Sequence, residues 1–167
     1  AFPFGFTMGE MAAWIKHGNG QKLWDELYAP FGLRGFQAGS TGTQMFGWFR
    51  REIRGLADLQ GLKFRTPGNQ GRVLQKLGVI PVSLPGGEIF PALQSGAIDG
   101  AEWVGPYNDL ALGFYQVCRY YYSPGYHEPG PALQLIVNEQ AWRSLPSDLQ
   151  AIVRAAADAA TTDMYAE

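Results

Sequence analysis

The sequence predicts an α/β fold, and three observations carry that expectation. Between Leu62 and Glu102, short apolar runs alternate with helical patterns in β-α-β-α order, which implies parallel strands joined by crossovers. Two of those runs end in a polar residue followed by a turn: Arg65 before Thr-Pro-Gly, and Glu102 before Trp103. Strand ends in α/β folds are where ligands are held, because the loops that follow form the crevice. Near the two ends of the chain, Thr7…Glu10 and Ser147…Gln150 are capping-box patterns, each opening a helix.

The elements follow in order. A helix runs from Thr7 to about Lys16 and is closed by Gly18. Leu23, Trp24, Leu27 and Tyr28 recur at helical spacing over 21–29, before Pro30. Leu33 to Gln37 is a strand, 38–43 a turn-rich loop, and Met45 to Arg50 a second strand. Leu56 to Gln60 is a short helix and Leu62 to Arg65 a strand. Gln70 to Leu77 is a helix ended by Gly78, Val79 to Ser83 a strand, and Gly87 to Ser95 a helix. Gly96 turns that helix into strand Ile98 to Glu102. Tyr107 to Gly113 is helical, and 114–122 becomes strand-like in its second half. Ser123-Pro-Gly125 and Glu128-Pro-Gly-Pro131 are loops. Ala132 to Asn138 is an apolar strand and Glu139 to Ser144 a short helix. The last helix carries the stripe Leu149, Ile152, Val153, Ala156.

Composition narrows the function. At 167 residues and 46% hydrophobic, the chain can build an ordinary core. A net charge of −2 argues against nucleic acid as a partner, which needs a basic face. Aromatics make up 14%, enough to line a pocket as well as a core. No apolar run approaches the roughly 18 residues of a membrane span. Cys118 is the single cysteine, so no internal disulfide forms. His17 and His127 have neither zinc-ligand spacing nor a nucleophile signature beside them. The Gly-Ser-Thr-Gly-Thr loop before Gln44 lacks the lysine of a P-loop and the spacing of a dinucleotide fingerprint. Asp99, in Ile-Asp-Gly, reads as a turn residue. No set of residues for acid/base or nucleophilic catalysis is visible, so an enzyme is a poor reading.

What remains is a carboxylate-binding pattern. Arg65, at a strand end, presents a planar fork of donors suited to a carboxylate, to which it would bond in bidentate fashion. Pro67 forces Thr66 to be extended, so the chain leaves the strand straight and then turns. Glu102, with neighbouring carbonyls and amides, suits a small hard cation.

Several stretches together resemble a family. Gly61-Leu-Lys-Phe-Arg-Thr-Pro-Gly68, then Leu77-Gly-Val-Ile-Pro-Val-Ser-Leu84, then Glu88-Ile-Phe-Pro-Ala-Leu-Gln-Ser-Gly-Ala-Ile-Asp-Gly100 are similar to the solute-binding proteins of TRAP transporters. Thr41-Gly-Thr-Gln-Met-Phe-Gly-Trp-Phe49, Glu102-Trp-Val-Gly-Pro-Tyr-Asn-Asp109 and Tyr121-Tyr-Ser-Pro-Gly-Tyr-His-Glu-Pro-Gly130 resemble the branch that binds 2-oxo acids or lactate-like acids with a metal ion. The resemblance covers nearly the whole chain, with its motifs in the family's order.

The resemblance implies a type II periplasmic-binding-protein fold and a non-catalytic, periplasmic protein. It would capture a small monocarboxylate together with sodium or calcium and hand it to TRAP membrane subunits. It implies that Arg65 binds the ligand carboxylate, with Gln44, Trp103 and Asn69 also on the ligand. Gln44, Glu102 and Trp103, the last through its carbonyl, would hold the cation. A later ligand is Gln134 as first choice and Glu128 as second. Hard oxygen donors of this kind suit sodium or calcium rather than zinc.

Such proteins run to roughly twice this length, with two α/β domains. The chain starts at Ala1-Phe-Pro-Phe-Gly-Phe6 without an initiator methionine or signal peptide, and ends inside a helical pattern. The expectation is therefore a truncated piece. In it, 38–101 with 131–167 make one nearly complete domain, and 1–37 with 102–130 are the remnant of the other. The chain would cross between domains near Gln37, Glu102 and Gly130. A remnant lacking its sheet partners would expose Phe4, Phe6, Trp14, Trp24 and Tyr120 to Tyr122, and a homo-oligomer would cover them. The second reading keeps the fold but makes the chain a self-associating or interaction module that binds no transport ligand.

Overall fold

In the computed structural model, which describes residues 2–166, the chain divides into two compact units. The first is Ala1–Gly5 with Thr43–Pro129, and the second is Phe6–Gly42 with Gly130–Glu167.

The first unit is built on a five-stranded sheet in the order β4-β3-β5-β2-β6. Its strands are β2 (Gly47–Phe49), β3 (Lys63–Arg65), β4 (Ile80–Val82), β5 (Gly100–Ala101) and β6 (Tyr120–Tyr122). β3 pairs in parallel with both β4 and β5, as the alternating pattern predicts. The connections carry α3 (Gly68–Lys76) and α4 (Gly86–Ser95). β2 is antiparallel to β5 and to β6, which places the Tyr120–Tyr122 strand at the sheet's edge and half buries it. α5 (Pro106–Leu112) follows β5.

Two apolar clusters hold this unit. Phe49, Leu59, Leu62, Phe64, Leu74 and Val79 form one, with Phe46 packed against it. Ile89, Leu93, Ile98, Ala101, Phe114 and Cys118 form the other, with Trp48 packed against it. Consecutive residues Trp48 and Phe49 thus serve different clusters, as in a strand covered on both faces. Full burial of each large apolar side chain contributes about 1.5–3 kcal/mol. Burial lifts the Cys118 thiol to about 11, so it behaves as a small hydrophobe. Gly47 is needed where β2 meets β5. Its φ is 146°, and a Cβ there would sit 2.8 Å from both the Ala101 carbonyl oxygen and the Phe64 ring.

The second unit pairs β1 (Leu33–Gly39) antiparallel with β7 (Leu133–Asn138), Leu33 facing Asn138. The helices are α1 (Met8–His17), α2 (Gly20–Tyr28), α6 (Glu139–Ser144) and α7 (Ser147–Ala166). Phe36, Trp142 and Ala157 form the core, and the Arg154 guanidinium lies 5.2 and 5.1 Å from the centres of the Phe36 and Trp142 rings. The expected capping box of α1 is present: Thr7 donates from its amide and its hydroxyl to Glu10 Oε2, each at 2.8 Å. The box expected of α7 is not made. Gln150 Nε2 instead donates to the carbonyls of Trp142 and Leu145, tying α7 to the end of α6.

The domain division read from the sequence is corrected. The boundary near Gly130 stands, but the chain also crosses after Gly5 and after Gly42 rather than at Gln37 and Glu102. The cause is long-range antiparallel pairing. β6 hydrogen-bonds to β2, so 102–129 stay with 43–101. β7 pairs with β1, so 131–167 join 6–42 and not 38–101. Among the described residues, no helix is long and apolar enough to cross a membrane.

Candidate functional site

The site lies in the first unit, where β3 and β5 end side by side. Arg65 pairs with Ala101 in the parallel ladder, so the residues after each strand emerge together. Glu102 N donates to the Arg65 carbonyl at 3.1 Å. In return, Arg65 Nη1 donates to the Glu102 carbonyl at 2.9 Å and to Glu102 Oε1 at 2.9 Å. Both side chains are buried. Arg65 Nε donates to the Leu84 carbonyl at 3.0 Å, and the guanidinium stands 5.2 Å from the centre of the Trp103 ring. The Trp103 ring is itself lodged against Gly86, where a Cβ would approach it to 2.7 Å.

These bonds change one expectation. The protein occupies Nε once and Nη1 twice, so neither the Nε/Nη2 edge nor the Nη1/Nη2 edge is free for a bidentate grip. Nη2 makes no hydrogen bond among the described residues and is the part of the guanidinium left for a ligand.

Gln44 is brought to Glu102 through the backbone of its loop. Its amide donates to the Glu128 carbonyl at 3.1 Å, and its carbonyl accepts from Gly125 N at 2.8 Å. The next residue, Met45, donates to the Val104 carbonyl at 3.0 Å. The loop is therefore laced to both segments that carry acidic groups. His127 Nε2 stands 3.2 Å from Gln44 Oε1, within hydrogen-bond distance, and 3.8 Å from Glu102 Oε2, just beyond it. All three residues are buried.

Beside them is a cavity of about 390 Å³ lined by Pro67, Gly68, Asn69, Gln70, Glu102, His127 and Glu128. Asn69 is at its exposed rim, in the first turn of α3. Burial raises the Glu128 carboxyl above its ordinary value, and the nearby Glu102 adds to that. Glu128 was the second choice for a later ligand, and it borders the cavity. Gln134, the first choice, is exposed on β7 of the second unit, where its Oε1 accepts from the Tyr28 hydroxyl at 2.7 Å.

Sequence reasoning missed His127 and Gln70. Histidine spacing excluded zinc and a nucleophile but says nothing of a histidine between an amide and a carboxylate. The only signal was its place in the Tyr-His-Glu-Pro-Gly stretch.

The two side-chain oxygen donors gathered here, the Glu102 carboxylate and the Gln44 amide oxygen, are hard. Among the described residues, no group of three His, Cys, Asp or Glu side chains converges as a metal site.

Adjacent strand ends carrying Arg65 and Glu102, with Glu102 on the wall of a small polar cavity, are the arrangement of an α/β solute-binding fold. The chain belongs to the DctP family of bacterial extracellular solute-binding proteins, family 7, whose match runs over residues 1–167. It is 49% identical, over 154 residues, to a monocarboxylate 2-oxoacid-binding periplasmic protein of Nostoc sp., covering 92% of this chain and 42% of that protein. A TRAP periplasmic solute-binding protein of Colwellia psychrerythraea, solved with bound calcium and pyruvate, is 48% identical and superposes with a TM-score of 0.92. That match covers 99% of this chain and 50% of the other. A second, from Pseudoalteromonas atlantica with bound sodium and pyruvate, is 47% identical with a TM-score of 0.90, over 99% and 50% of the two chains. The chain spans about half the length of the relatives it matches.

Proposed function

We propose that this chain is part of the substrate-binding component of a TRAP-type transporter, which captures a small 2-oxo monocarboxylate together with a calcium or sodium ion in the periplasm and delivers it to the membrane subunits. The observation that carries the reading is the buried cluster in which Arg65 is bonded to Glu102, Gln44 shares His127 with it, and Glu102 and His127 line one polar cavity. Its support is the likeness to pyruvate-bound and cation-bound proteins.

In this reading the cation would be held by Gln44 Oε1, the Glu102 carboxylate and the Trp103 carbonyl. These donors suit a hard ion by their chemistry, and Gln44 Oε1 and Glu102 Oε2 are close neighbours, both within 4 Å of His127 Nε2. Glu128 supplies further negative charge at the cavity wall. The ion, when bound, would supply positive charge that favours an anionic ligand beside it. Arg65 meets the ligand carboxylate from Nη2, while its Nε and Nη1 bonds lock the guanidinium in place. That locking matters, because a preorganised donor loses little freedom on binding. Asn69 closes the rim. In this reading the chain's part is to bind the ligand, as befits a solute-binding family.

Calorimetric titration with pyruvate, with calcium or sodium present and after chelation, tests the reading. Saturable 1:1 binding that weakens strongly without the cation is expected. Equal heats in both conditions, or no binding in either, would overturn it.

A further inference from the structure

We propose that Gln70 contacts the ligand directly, its side-chain Nε2 donating a hydrogen bond to an oxygen of the bound carboxylate; this rests on the function proposed above. Gln70 is the third residue of α3 and is only 4% exposed. Its Oε1 is taken by the Thr66 hydroxyl, at 2.5 Å, which fixes the amide and leaves both Nε2 protons to the other side. That nitrogen has no hydrogen-bond partner, although it is buried. The residue lines the same cavity as Glu102, His127 and Glu128.

A buried donor without an acceptor is costly, so one retained in a cavity wall marks where an acceptor belongs. The acidic neighbours do not supply it. Glu102 gives one oxygen to Arg65 and turns the other toward His127.

The start of α3 adds to the case. Its N-cap is Pro67, which makes no side-chain capping bond, so the first-turn amides remain uncapped by any side chain. A helix N-terminus favours negative charge. Here the partial charge and the orphan donor come from one turn, at the wall of one cavity. A carboxylate oxygen satisfies both. The arrangement also sets a selectivity: an oxygen acceptor is favoured at this point, and a donor such as an ammonium is opposed by the Nε2 protons.

The test uses the double variant Thr66→Val/Gln70→Met, which replaces both members of the hydrogen-bonded pair by apolar groups of similar size, with Gln70→Glu as a second variant. Three measurements are made on each and on the parent: melting temperature without ligand, calcium titration without pyruvate, and pyruvate titration in calcium. The double variant is expected to melt at or above the parent, since an unsatisfied donor has been removed. It should bind calcium within about twofold of the parent and lose pyruvate affinity about tenfold, the scale of one charge-assisted bond. Gln70→Glu, which sets a carboxylate against the ligand's, should lose at least as much.

Pyruvate affinity equal to the parent's in either variant would overturn the proposal. So would an affinity loss in the double variant accompanied by a matching drop in melting temperature, which would mark Gln70 as structural. A parent that binds no small carboxylate would overturn the functional reading itself, an outcome told apart by the parent's own titration.

Discussion

Arg65 and Glu102 are bonded through main chain and side chain at once: Nη1 donates to the Glu102 carbonyl and to its carboxylate, and the Glu102 amide donates to the Arg65 carbonyl. The pair therefore fixes both strand ends as one rigid rim. Removing one member of a buried ion pair leaves the other uncompensated, which costs about 3–5 kcal/mol. Glu102→Ala is expected to lower the unfolding free energy by about that amount in urea titration. A loss below about 1 kcal/mol would show that solvent reaches the guanidinium and that the site is not closed as described.

Arg65→Lys separates charge from geometry. Lysine keeps the positive charge but cannot hold Leu84, Glu102 and a ligand at the same time, because it lacks the planar fork. Pyruvate affinity measured by calorimetry in calcium should fall at least tenfold, about 1.4 kcal/mol. Unchanged affinity would remove Arg65 from the ligand.

Most of the elements were legible in the sequence, and the reasons are local. Thr7 and Glu10 announce α1, Gly96 ends α4 in a left-handed conformation, and the β3-α3-β4-α4-β5 order carries its parallel pairing with it. Strand-end position singled out Arg65 and Glu102 and family pattern singled out Gln44, and the structure brings the three near one another. The partition into units was not. It depends on β1 finding β7 nearly a hundred residues later, and on β2 turning antiparallel to β5 and β6. Both are pairing choices that hydrophobic periodicity does not encode. Gln70 and His127 escaped for a related reason. Their importance lies in unmet or shared hydrogen bonds, which depend on what the fold brings beside them.

Gly47 couples the two sides of the first unit's sheet. Its φ of 146° is rarely adopted by L side chains, and a Cβ would meet the Ala101 carbonyl at 2.8 Å, a backbone atom that cannot step aside. Gly47→Ala should cost roughly 2–4 kcal/mol from backbone strain and overpacking together. Urea titration reads this directly, and a change under 1 kcal/mol would mean that β2 slides to accommodate the methyl group.

Glu139 contributes to the pH response of the second unit. The side-chain bond from Arg34, at 2.8 Å, and then the one from Arg143, at 2.8 Å, hold its carboxyl down to about 2 from an ordinary value of 4.5. A depressed carboxyl contributes its stability at pH above the unfolded value and loses it as pH falls through the folded one. The protein should therefore lose melting temperature progressively from about pH 4.5 to about pH 2. Glu139→Gln is expected to melt lower than the parent at pH 6 and to converge with it near pH 2. Parallel curves for the two proteins across that range would show that the two arginine bonds do not survive in solution.

Asp109 is a buried carboxylate that holds the segment proposed above to bind the cation. It is 1% exposed and accepts three hydrogen bonds: Trp48 Nε1 at 2.9 Å, the Tyr121 hydroxyl at 2.8 Å and Val104 N at 3.0 Å. Burial, then the bond to Asp109, pushes the Tyr121 hydroxyl far above its ordinary value, so it remains a donor at any physiological pH. The bond to Val104 holds the chain immediately after Glu102 and Trp103, while Trp48 and Tyr121 stack at 3.9 Å and fix the carboxylate from β2 and β6. Asp109→Ala strands three donors and should cost about 3–5 kcal/mol, as for other disrupted buried charge networks. Asp109→Asn keeps one oxygen but turns an NH2 toward donors, so an intermediate loss is expected. Because the segment carries Glu102 and the Trp103 carbonyl, calcium affinity should fall in Asp109→Asn even where the protein is still fully folded. Circular dichroism establishes the folded fraction and calcium titration reads the affinity. Wild-type calcium affinity in a folded Asp109→Asn protein would show that the 102–104 segment holds its shape without this carboxylate.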